Sequence, residues 1–117
     1  KSAVDRMAHD MAIELKPHNV ASISLWQFLT FTERAERTLA ENPAMRAHIT
    51  ANPELGCSVE FAGRVIAAAA NDPEVMRKSG GAYITAELAQ EYGVTDIGGK
   101  VIPSLRSQGR APLWSAV

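Results

Sequence analysis

The order of segments predicts an α/β fold built on a parallel sheet, and three observations carry that prediction. An amphipathic helical pattern opens the chain. An uncharged, glycine-free run at 20–26 follows it directly. A second, alanine-rich helical pattern at 58–71 precedes another short apolar run at 82–86. A helix that delivers the chain to a strand, twice over, is the connection parallel strands require.

Within 2–16, Val4, Met7, Ala8, Met11, Ala12 and Leu15 recur at helical spacing and form one apolar face, with Asp5, Arg6, Asp10, Glu14 and Lys16 covering the rest. Pro17 stops this helix and His18-Asn19 turns the chain. In 20–26, Ser22 and Ser24 alternate with Ile23 and Leu25, the pattern of an interior parallel strand. Ligands of open parallel sheets bind beyond the carboxyl ends of the strands. The residues just after Trp26, with Thr30 and Thr32 among them, are therefore the first place to look for a site. Thr32-Glu33 caps a helix through Ala40, and Asn42-Pro43 and Asn52-Pro53 bracket a short helix near 44–50. This insertion suits a binding lid and an irregular surface excursion equally.

Ser58 is the expected N-cap of the second long helix, with Glu60 in its first turn. Phe61, Val65 and Ala69 line one face, Ala62 and Ile66 stand beside them, and Gly63 with the alanines at 67–70 permits close packing on a sheet. A short helical turn runs from Asp72-Pro73 to Arg77. Ser79-Gly80-Gly81 turns into the strand at 82–86, and 87–92 is a helical turn ended by Gly93. Beyond Gly98-Gly99, Pro103, Gly109 and Pro112 leave an irregular tail at 98–117.

The totals narrow the function classes. A chain of 117 residues builds one small domain. Its 12 basic and 13 acidic residues nearly cancel, which argues against a nucleic-acid surface. Lys100, Arg106 and Arg110 in the tail are expected to be solvated. Cys57 is alone, so no intrachain disulfide forms, and this fits a reducing, cytoplasmic setting. A thiol with no obvious base beside it reads as a loop residue rather than a nucleophile. No apolar run approaches the roughly 20 residues of a membrane helix, and no signal peptide is expected. His9, His18 and His48 are scattered, so no metal site is expected. Gly80-Gly81 and Gly98-Gly99 lack the strand-to-helix setting of a phosphate loop. Trp26 and Trp114 are expected as packing anchors. The chain starts with Lys1 directly in a helix, without a preceding strand, and is expected to be cut from something longer.

Several stretches carry a family resemblance. Residues 1–20 (Lys-Ser-Ala-Val-Asp-Arg-Met-Ala-His-Asp and onward), continuing to Ser24-Leu25-Trp26, resemble the carboxyl-terminal half of the short-chain dehydrogenases/reductases. The likeness runs through Glu60-Phe61-Ala62-Gly63-Arg64-Val65. At 86–96 it is similar to one bacterial subgroup of that family. The resemblance implies a Rossmann-like doubly wound sheet, with 1–117 the carboxyl-terminal part of a single NAD(P)-binding domain and 31–57 its substrate lid. It implies NAD(P)-dependent interconversion of a carbonyl and an alcohol, with NAD or NADP as cofactor. The partners implied are a small carbonyl or alcohol substrate and a homo-oligomer that packs through helix 2–16, where Ala3 and Ile13 lie off the main apolar face. The family's Tyr-x-x-x-Lys pair makes Lys1 the catalytic lysine and a ribose ligand, with the tyrosine four residues earlier. The family's Pro-Gly-x-x-x-Thr after the strand falls on 27–32. Thr32 matches, while Gln27 and Phe28 replace the proline and glycine. Leu29, Thr30 and Thr32 are thereby cofactor-binding candidates. Phe28, Phe31, Leu39 and Met45 are substrate-wall candidates, with core packing as the alternative for each. A 117-residue chain without the Gly-rich loop, the serine and the tyrosine is expected to be inactive alone and to fold poorly. A non-catalytic remnant or a small interaction module is the alternative.

Overall fold

A computed structural model describes residues 2–112, so Lys1 and Trp114 lie outside the described residues. Helix α1 (Ser2–Leu15) runs into a 3-10 turn at Lys16–His18. Asn19 then leaves it at φ 56°, a left-handed conformation that asparagine adopts at little cost. Strand β1 (Ser24–Trp26) is followed by β2 (Leu29–Thr30), helices α2 (Glu33–Glu41) and α3 (Pro43–Ala51), and strand β3 (Gly56–Cys57). Helix α4 (Glu60–Ala70), strand β4 (Ala82–Ile84) and helix α5 (Thr85–Glu91) complete the regular elements. β1 pairs with β4 in parallel, Ser24 opposite Ala82 and Trp26 opposite Ile84. β2 pairs with β3 in parallel, Leu29 opposite Gly56 and Thr30 opposite Cys57. Parallel pairs joined by helical crossovers make this an α/β fold, consistent with part of a Rossmann-like sheet. No helix among the described residues is long and apolar enough to cross a membrane.

The strand expected over 20–26 is narrower than its pattern. Only its last three residues find a ladder, because β4 is itself three residues long. Upstream, the Ser22 N–H donates to Ser79 Oγ and the Ser22 carbonyl accepts from the Gly80 N–H. The β2–β3 pair was not legible at all: two-residue strands carry no periodicity.

Helix α1 turns a different face inward from the one its apolar spacing predicts. Asp5, Ala8 and Ala12 are buried, whereas Val4, Met7, Met11 and Ile13 are exposed. The cause is close approach. A Cβ placed on Gly80 would stand 3.4 Å from the Ala12 Cβ, so only small side chains fit at that crossing. Asp5, expected on the solvent side, is only 5% exposed. Its carboxylate accepts from the Ser24 hydroxyl at 2.6 Å and from the Trp26 indole N–H at 2.9 Å. Trp26 is thus an anchor through its polar edge as well as its packing.

The core gathers Phe61, Val65, Ile84, Leu88 and Ile102 between α4, β4 and α5. Ile102 and Leu105 belong to the tail expected to be irregular, yet they are 2% and 7% exposed and close the core. Gly63 has nothing within 4 Å of its absent Cβ, so it does not serve the close packing expected of it, and Ile66, expected beside the apolar face, is exposed. The tail cations expected to be solvated are largely engaged. Arg106 Nε and Ser104 Oγ both donate to Glu87 Oε1, at 2.7 and 2.6 Å. Lys100 Nζ donates to the carbonyls of Pro53 and Gly56.

Asp96 ties the tail to the start of α4. It is 3% exposed and accepts from the Ser58 N–H at 2.7 Å, the Ser58 hydroxyl, and the Ile97 N–H at 2.8 Å. Ser58, expected as the N-cap of α4, lies one residue ahead of the cap position, which Val59 fills without a side-chain bond; Ser58 Oγ accepts from the Glu60 N–H at 3.2 Å while being held by Asp96. Burial pushes the Asp96 carboxyl up, but the hydrogen bonds from Ser58 and Ile97 and the Lys100 ammonium outweigh it and leave it below the usual range.

Two outcomes follow from these buried carboxylates. Asp5→Ala leaves two donors unmet and is expected to cost about 2 kcal/mol, read by urea denaturation of the protein. Because the Asp96 carboxyl is depressed when folded, its contribution is complete above the unfolded pKa and is lost as pH falls through the folded value. Thermal melts are expected to drop below about pH 4, and Asp96→Asn is expected to flatten that drop.

Candidate functional site

The loop 27–32 leaves β1 at its carboxyl end, where parallel sheets expose backbone for ligands. Among the described residues, the N–H groups of Gln27 and Phe28 take no backbone acceptor. The loop is then pinned on its far side. The Phe31 N–H donates to the Cys57 carbonyl at 3.0 Å, and the Thr30 hydroxyl donates to the Phe28 carbonyl at 3.2 Å. Thr32 Oγ1 accepts from the Ala35 N–H at 3.2 Å as N-cap of α2. Its own hydroxyl proton remains available, because capping uses only the oxygen.

Hollows surround the lid formed by α2 and α3. One of about 700 Å³ opens directly off the loop. Trp26, Gln27, Phe28 and Leu29 form one wall, Met45, His48 and Ile49 of α3 another. Leu55, Leu105, Gln108 and Arg110 close it from the remaining sides. Among the described residues, Arg110 is the one formally charged side chain in this lining. A second hollow of about 600 Å³ lies against the lid's other side and takes Phe31, Leu39, Arg46 and Lys100. A shallower one of about 280 Å³ takes Leu29, Thr32, Leu39 and Met45. No residue of α2 or α3 is buried, so the lid is seated on its edges.

The sequence-expected residues are therefore divided. Phe28, Leu29 and Met45 meet at the 700 Å³ hollow, and Leu29 and Thr32 meet at the 280 Å³ one. Phe31 and Leu39 share the 600 Å³ one, and Thr30 is turned toward the loop backbone and Cys57. Phe31 lies over β3: a Cβ on Gly56 would stand 2.2 Å from its ring. Cys57, expected in a loop, is buried in β3. Burial pushes its thiol up, opposed by the contact with Thr30, and Asp96 adds to the rise. A thiol held protonated is a poor nucleophile. No group of His, Cys, Asp or Glu able to hold a metal occurs among the described residues.

Comparison with known proteins finds relatives over most of the chain. Over 115 residues, 95% of the chain, it is 34% identical to the mouse dehydrogenase/reductase SDR family member 1, and covers 37% of that protein. This chain is related to the short-chain dehydrogenase/reductase family. The human protein of the same name is 29% identical over 106 residues, with 87% of the chain and 34% of the relative covered. The chain thus spans about a third of the length of these curated relatives. No family model matches it.

Against the Pro-Gly-x-x-x-Thr expected of short-chain dehydrogenases/reductases, the replacements at 27 and 28 cause no backbone strain. Asn19 is the only non-glycine with positive φ among the described residues, so Phe28 sits in ordinary backbone space. Its ring packs against the core cluster and faces the 700 Å³ hollow. Two unengaged N–H groups and an available hydroxyl suit a carbonyl or carboxamide oxygen. Glu33 and Glu36 stand in the first turn of α2 and oppose a phosphate at its N-terminus.

The wall residues that sequence reasoning missed are His48, Ile49, Leu55, Gln108 and Arg110. One signal was readable: Leu105-Arg-Ser-Gln-Gly109 is a short helical run stopped by glycine.

Gly56→Ala is expected to drive the Phe31 ring off β3 and cost about 1–3 kcal/mol, as overpacking does. Combining it with Phe31→Ala in a double-mutant cycle is expected to show strong non-additivity.

Proposed function

We propose that these 117 residues form the carboxyl-terminal part of a single NAD(P)-binding domain in an oxidoreductase that interconverts a carbonyl and an alcohol. The observation that carries the reading is the loop 27–32: it joins free backbone donors, a largely apolar hollow and a helical lid at the end of a parallel strand. Relationship to dehydrogenase/reductase proteins supports it.

When bound, NAD or NADP supplies or accepts the hydride. The chain's part is to bind, orient and exclude water. The N–H groups of Gln27 and Phe28 and the Thr32 hydroxyl hold the nicotinamide carboxamide, and Leu29 and Thr30 hold the loop in register through β2–β3. A neutral amide fits these donors, and the glutamates of α2 do not repel it. Phe28, Leu29 and the lid residues Met45 and Ile49 form the substrate wall and keep bulk water from the carbonyl. Lys1 is assigned the ammonium that holds a ribose hydroxyl and lowers the pKa of the general-acid tyrosine. Subunit pairing is assigned to α1, which presents Val4, Met7, Met11 and Ile13 outward. The free thiol of Cys57 supports a reducing compartment, the cytoplasm.

Calorimetric titration with NADH and NADPH of the whole NAD(P)-binding protein that carries these residues tests the cofactor role. Thr32→Asp keeps the helix-cap acceptor and removes the donated proton. It is expected to weaken binding by about tenfold, while Thr32→Ser retains it. Absence of binding to the unsubstituted protein overturns the reading.

A further inference from the structure

We propose that the 700 Å³ hollow is a subsite for an amphiphilic anion, with Arg110 holding a substrate carboxylate and the lid holding its apolar chain. The proposal rests on the substrate-site reading above and deepens it.

Three observations converge. The first is the fate of the tail cations. Lys100 is engaged by the carbonyls of Pro53 and Gly56, and Arg106 by Glu87. Arg110 has no ion pair among the described residues. The second is its placement. Leu105–Gln108 is a 3-10 turn closed by Gly109 at φ 71°. The Gly109 N–H donates to the Arg106 carbonyl at 2.9 Å and the Arg110 N–H to the Leu105 carbonyl at 3.0 Å. That pair of bonds is a Schellman closure. Leu105 is 7% exposed in the core, so the Arg110 backbone is tied to a buried anchor rather than carried on a free tail.

The third is the lining itself. Among the described residues it holds no acid, and Arg110 is its one formally charged side chain. Gln108 beside it adds an amide donor, and Phe28, Met45, Ile49 and Leu55 supply an apolar wall. A cation next to an apolar trough favours a ligand with a hydrocarbon body and a terminal anion. A guanidinium recognises a carboxylate by two parallel N–H···O bonds. The substrate class is therefore a carbonyl or alcohol compound bearing a carboxylate remote from the reacting carbon. A cofactor phosphate is the other source of such an anion, and the test separates the two.

The experiment is calorimetric titration of the protein, without cofactor, with octanoate and with octanamide, which differ only in charge and head group. Octanoate is expected to bind more tightly than octanamide. Arg110→Gln is expected to reduce octanoate affinity by about tenfold and erase the preference, and Arg110→Lys to keep part of it. Equal binding of the two probes, or a preference that survives Arg110→Gln, overturns the proposal. So does a loss confined to NADPH or NADH affinity in Arg110→Gln, which assigns the cation to a cofactor phosphate. Failure of the dehydrogenase reading shows separately, as absence of cofactor binding to the unsubstituted protein.

Discussion

The Asp5 carboxylate sits 5% exposed between a helix and a strand and takes hydrogen bonds from the Ser24 hydroxyl and the Trp26 indole. A carboxylate is removed from water only when its oxygens are met, so this contact sets the rotation of α1 against β1. The rotation sends Ala8 and Ala12 inward with Asp5 and leaves Val4, Met7 and Met11 outside. It also holds Trp26, the last residue of β1 and part of one wall of the 700 Å³ hollow. The place where the loop 27–32 leaves the sheet follows from that one buried acid.

The other end of the hollow is held by the tail. Asp96 grips Ser58, Lys100 bridges the carbonyls of Pro53 and of Gly56 at the start of β3, and Glu87 takes both Ser104 and Arg106. These bonds bring a segment of low periodicity back against β3 and α5. Burial pushes the Glu87 carboxyl up, but its bonds to Ser104 and Arg106 outweigh that and leave it below its ordinary value, as happens at Asp96. The body is thus tied together by charged groups at its rim and by Phe61, Val65, Leu88 and Ile102 inside. The lid has neither: α2 and α3 bury no residue and are flanked by hollows. Segments with few buried contacts open at low free-energy cost, which suits a wall that must admit a ligand.

The Gln27-Phe28 pair stands where the resemblance implies Pro-Gly. Its backbone lies in ordinary φ space, and Phe28 turns its ring toward the core and the hollow. What the substitution changes is the wall's character, now more apolar beside free backbone donors.

The helices were legible in the sequence because their hydrogen bonds and caps are local. Thr32, Asn42 and the proline and glycine stops marked α2, α3 and α5 closely. The α/β class and the strand-end loop were legible for the same reason, through one uncharged run after a helix. The buried face of α1 was not, because the Asp5 carboxylate is met by hydrogen-bond donors 19 and 21 residues away. Nor was β3, two residues whose only strand signal is a ladder with β2. The sequence by itself determined which segments are helical, where the chain turns, and that a loop leaves the sheet after Trp26. Only the tertiary structure decided which face of α1 is buried and that Arg110 lines the hollow beside that loop. Those outcomes rest on contacts between residues far apart in the chain, and such contacts leave no periodicity to read.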